Sequence, residues 1–150
     1  MRLLVTLAIV ILVGLPGTSL YAETGEAGWL RYARVSPEAA KRYESLPGSL
    51  AVLGNSVLME SAKQELISGV EKILAKKLAI VQVLPAATVI VLGTADSIRP
   101  KIPELKIPAL HGDSYWLATQ NVGDQNRIII AGQNDRGALY GAFALLLVLP

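Results

Sequence analysis

Residues 134–149, NDRGALYGAFALLLVL, begin with polar and charged positions and then turn apolar on every side. They follow a strand-like run, Arg127-Ile128-Ile129-Ile130-Ala131-Gly132. Asn134 suits the N-cap of a helix, and Asp135 complements the positive first turn. A helix apolar around its whole circumference has to be buried around its whole circumference. The pattern predicts a long terminal helix whose outer face calls for a cover, and a chain that is a piece of something larger.

The other elements follow from shorter patterns. Ser36-Pro37-Glu38 starts a modest helix, with Ser as cap and Pro at the first helical position, and Leu46-Pro47-Gly48 ends it. Ser49-Leu50-Ala51-Val52-Leu53 is a buried strand followed by a Gly54-Asn55 turn. Residues 60–78 form the clearest helix. There Ala62, Leu66, Val70, Ile73, Leu74 and Leu78 share one stripe. Lys63, Lys72, Lys76 and Lys77 fall mostly off that stripe and are read as a solvated face rather than a basic patch. A linker runs through Pro85. Thr88-Val89-Ile90-Val91-Leu92-Gly93 then reads as a central strand, apolar front and back. Residues 95–110 are loop with one helical turn, and residues 114–119 and 127–131 form an antiparallel hairpin around the turn at residues 122–125. The predicted fold is α/β, a small mixed β-sheet flanked by two long helices.

Composition changes this picture at the N-terminus. Arg2 precedes an apolar run over residues 3–15, Pro16-Gly17 breaks it, and Leu20-Tyr21-Ala22 offers a small residue for cleavage. That is the layout of a secretory signal peptide, which assigns residues 1–22 to export and residues 23–150 to the working domain, outside the cell. Arg2 is the one charged residue removed, so the formal charge falls from +2 to +1. No concentrated basic face for nucleic acid is implied. The chain has no cysteine, so export brings no disulfide and the core alone holds the fold. No Asn-x-Ser/Thr triplet occurs, and no N-glycan is expected.

Candidate chemistry is sparse. With one histidine, His111, and no cysteine, a His/Cys metal site is excluded, and no phosphate-cradling glycine motif is present. His111-Gly112-Asp113-Ser114 has the Gly-Asp-Ser triplet of one esterase family. Its sole candidate base lies three residues upstream, so the stretch is read as a polar turn into the next strand. Asp96, Asp113, Asp124 and Asp135 sit at turns or helix starts, where Asp satisfies backbone donors. Glu104 lies in a proline-rich loop, and nothing nominates a glycosidase pair. Trp29, Tyr32, Tyr115 and Trp116 are read as core and interface anchors before sugar platforms. Gly137 and Gly141 are expected to let the last helix sit close against the sheet. No catalytic, cofactor or metal residue is therefore assigned, and no cofactor is expected.

Two stretches taken together carry a resemblance. Gly28-Trp29-Leu30-Arg31-Tyr32, shortly after the export signal, resembles the start of the secreted fungal-type α-glucuronidases of glycoside hydrolase family 67. Arg136-Gly137-Ala138-Leu139-Tyr140-Gly141-Ala142-Phe143 resembles the last helix before that family's catalytic barrel. Glu65-Leu66 with Gly69, Leu92-Gly93-Thr94 and Tyr115-Trp116-Leu117 fall between them in the family's order, and the resemblance covers residues 25–147. It implies an N-terminal domain similar to the second domain of β-hexosaminidases, preceding a barrel that holds the acid and base. It also implies release of 4-O-methyl-glucuronic acid from xylan-derived oligosaccharides without a metal. None of the barrel positions occurs in this chain, so the domain is expected to be inactive alone, partnered by the barrel or by itself through residues 134–149. A stand-alone secreted or membrane-anchored binding module is the alternative. Residues 145–150 run more apolar than the family's exit toward the barrel.

Overall fold

The computed structural model describes residues 32–85, 88–122 and 125–149. The segment read as an export signal, the residues after it through Arg31, Trp29 among them, and Asp124 lie outside the described residues. Helix α1 (Pro37–Lys41) is followed by strand β1 (Ser49–Leu53), helix α2 (Val57–Leu74) and strand β2 (Ala79–Val81). Strand β3 (Val89–Thr94), helix α3 (Ala95–Ile98), the hairpin β4 (Tyr115–Val122) and β5 (Gln125–Gly132), and helix α4 (Asp135–Leu147) complete the order.

The strands form one five-stranded sheet in the order β2-β1-β3-β5-β4. The first four are parallel and β4 returns antiparallel to β5, so the sheet is mixed, as expected. Its centre is β3, buried over Val89 to Gly93. Continuous apolarity is what a strand covered on both faces requires. Alternation along the strands separates two cores. Leu50, Ile90, Leu92 and Ile130 face one side, where α2 and α4 both pack, while Ala51, Val89, Val91, Ile129 and Ala131 face the other. The two long helices thus share a face. The opposite face is covered by α3 and the following loop through Ile98, Ile102 and Leu105.

Several boundaries differ from the sequence reading: α1 ends at Lys41, before Leu46-Pro47-Gly48, and the hairpin strands include Val122 and Gln125, where a turn was expected. Helix α2 begins at Val57, because the Ser56 hydroxyl caps it by accepting from the Met59 N–H at 3.1 Å. It ends at Leu74, because Ala75 adopts a left-handed φ of 55°. Leu78 is buried in the connection after the helix, not on its stripe. The segment read as linker contains β2, a short parallel edge strand held against Ser49, Leu50 and Ala51. Only three residues long and exposed at Ala79 and Ile80, it carries almost no periodic signal.

Close approach fixes how the helices sit. A Cβ on Gly69 of α2 would lie 2.6 Å from Leu146 of α4, so that glycine admits the second helix. A Cβ on Gly137 would lie 2.3 Å from the Ser114 carbonyl, and one on Gly141 2.6 Å from Ile130. These contacts bring α4 down onto the hairpin, the role expected for the two glycines.

Candidate functional site

In open α/β sheets, ligands gather outside the carboxyl ends of the strands. Here β1, β3 and β5 end beside one another and lead directly into α2, α3 and α4. Each helix starts on a side-chain cap: Ser56, Thr94 and Asn134 accept from the N–H of Met59, Ser97 and Gly137. Short polar side chains occupy these junctions because the first turn of a helix leaves N–H groups without internal partners.

The His111-Gly112-Asp113-Ser114 segment joins this edge as a clamp. Gly112 takes a φ of 57°, a left-handed value that glycine adopts without strain. The Ser114 N–H donates to the His111 carbonyl at 3.1 Å, and the His111 N–H donates to Ser114 Oγ at 2.9 Å. The group meeting the serine oxygen is thus the histidine amide, and the segment is the polar turn that its sequence implied. Asn134 ties this turn to α4. Its Oδ1 accepts from the Gly137 N–H at 2.9 Å, while its Nδ2 donates to Asp113 Oδ1 at 2.8 Å and to the Gly112 carbonyl at 3.2 Å. Arg136 donates to Asp113 Oδ2 at 2.9 Å. The Asn134 hydrogen bond, helped by the Arg136 charge, holds the Asp113 carboxyl below its usual range, against a smaller opposing effect of desolvation.

The remaining acids are held locally or lie apart. Asp96 pairs with Arg99 at 2.8 Å in the single turn of α3. Asp135 lies in the first turn of α4. Glu104 stands 4.0 Å from Arg127, a side chain only 13% exposed whose Nε lacks a hydrogen-bond partner. Among the described residues, no three His, Asp or Glu side chains gather in one place.

An open groove of about 540 Å³ runs along the start of α2, lined by Asn55, Ser56, Val57, Glu60, Ser61, Gln64 and Glu65. Most of its polar side chains are engaged locally. Ser61 donates to the Val57 carbonyl, Gln64 to Glu60, and Lys63 pairs with Glu60 at 2.5 Å. Bonds from Gln64 and Lys63 lower the Glu60 pKa. Glu65 accepts from the Tyr32 hydroxyl at 3.1 Å, and the Lys72 ammonium lies 5.8 Å from the Tyr32 ring centroid. Burial, then the Glu65 charge and its hydrogen bond, raise the Tyr32 pKa above its ordinary 10.0.

Of the aromatics singled out from sequence, Tyr32 therefore anchors the incoming chain to α2, and Trp116 packs against the core on the α3 side. Tyr115 is exposed beside Gly141. The sequence reading did not foresee the Asp113–Asn134–Arg136 clamp. Its only local signal was two polar turns that the hairpin brings together across some twenty residues.

The motif residues quoted for the resemblance are thus packing residues: Gly69, Gly93, Gly137 and Gly141 at close approaches, Glu65 under Tyr32, and Arg136 on Asp113. Comparison with known proteins finds the same assignment. The sequence profile described as the glycosyl hydrolase family 67 N-terminus matches residues 28–145. Alpha-glucuronidase A of Aspergillus tubingensis is 39% identical over 129 residues, covering 83% of this chain and 15% of that protein. The probable alpha-glucuronidase A of Aspergillus niger is 37% identical over 128 residues, with the same coverage. Alpha-glucuronidase A of Emericella nidulans is 32% identical over 145 residues, 91% of this chain and 16% of that protein. The chain spans about one-seventh of the length of the relatives it matches.

Proposed function

The chain belongs to the glycosyl hydrolase family 67 N-terminus family, and from that premise we propose that it is the non-catalytic N-terminal domain of an extracellular α-glucuronidase. The observation that carries this reading is the profile match over residues 28–145, joined to relatives about seven times longer that are named for that activity. The enzyme removes 4-O-methyl-glucuronic acid from xylan-derived oligosaccharides, using acid and base groups in a catalytic barrel beyond this domain. Residues 1–22 direct export, and residues 23–150 are the domain.

The internal economy of the fold supports a scaffolding role. The polar groups of the carboxyl edge are engaged in caps and in the Asp113 clamp. In the α2 groove Glu60, Ser61 and Gln64 are engaged locally. Groups tied into structural hydrogen bonds hold a shape; they are not poised for proton transfer to a substrate. The partner of such a scaffold is the catalytic body of the same enzyme.

The test is to incubate the secreted chain with aldouronic oligosaccharides and measure free 4-O-methyl-glucuronic acid by chromatography. No release above the buffer control is expected. Release by the purified chain, abolished by a substitution within residues 32–149, would overturn the non-catalytic reading.

A further inference from the structure

We draw no further inference here: the strongest candidate, the exposed apolar side of α4 formed by Tyr140, Leu147 and Val148, carries nothing, because nothing among the described residues shows what covers it.

Discussion

Helices α2 and α4 press onto one face of the sheet through residues of the same kind, Leu66, Val70 and Ile73 from one and Ala142, Leu145 and Leu146 from the other. Their outer sides differ. Along α2 stand Glu60, Lys63, Gln64, Glu71 and Lys72: Glu60 pairs with Lys63 and Gln64, Glu71 with Lys77, and the Lys72 ammonium lies over the Tyr32 ring. Along α4 the outer side is Tyr140, Leu147 and Val148. An amphipathic helix is finished once its stripe is buried, whereas one apolar on both sides still has surface to cover. The first helix carries mostly polar side chains on its outer side; the second leaves large apolar ones exposed among the described residues.

The sharpest way to break that comparison lies within α4. Leu146 is 1% exposed and Leu147 69% exposed, although they are adjacent. Leu146→Ala removes side-chain volume from between the two helices and is expected to cost about 3 kcal/mol. Leu147→Ala is expected to change stability by less than about 0.5 kcal/mol. Urea unfolding of the two variants checks this, and equal losses would mean that the outer side is already covered within the domain.

A smaller effect concerns how α4 begins. Asn134 is at once the cap of the helix and the donor that holds Asp113, so Asn134→Ala is expected to cost about 1 kcal/mol. The clamp also has a pH signature. The Asp113 carboxyl titrates below its ordinary 3.8, so its contribution is present above that value and is lost as pH falls through the lower folded value. Asp113→Asn should therefore lower the thermal midpoint at neutral pH, with the difference from the parent chain closing on acidification. A difference constant across pH would show that the carboxylate charge plays no part. The groove of α2 offers no comparable lever, since Glu60 is exposed and its pairing is screened by water.

Much of this was legible in the sequence because it rests on local patterns. The buried run of β3 and the Asn134 cap state their own structure, as do the alternating hairpin and the Ser36-Pro37 helix start. What was hidden depends on tertiary context. Strand β2 exists because β1 offers it an edge, not because Ala79-Ile80-Val81 has a strong preference of its own. The start of α2 was masked because Val57, Leu58 and Met59 precede the polar positions that reveal its period. Its end was masked because Ala75 turns left-handed without a glycine to mark it. The clamp joins Asp113 to Asn134 and Arg136 only after the hairpin has closed. The family relationship was legible for a different reason: its motif residues are those whose size the packing fixes, as the Ser114 carbonyl, standing where a Cβ on Gly137 would clash with it, makes plain.

The central claim is that this fold serves as the N-terminal domain of an α-glucuronidase, and a chimera tests it most directly. Residues 28–145 of this chain would replace the corresponding region of the Aspergillus tubingensis enzyme, and release of 4-O-methyl-glucuronic acid from aldouronic oligosaccharides would be measured. The account predicts a secreted, folded chimera with activity within an order of magnitude of the parent. A folded chimera without activity, beside an active parent, would contradict it.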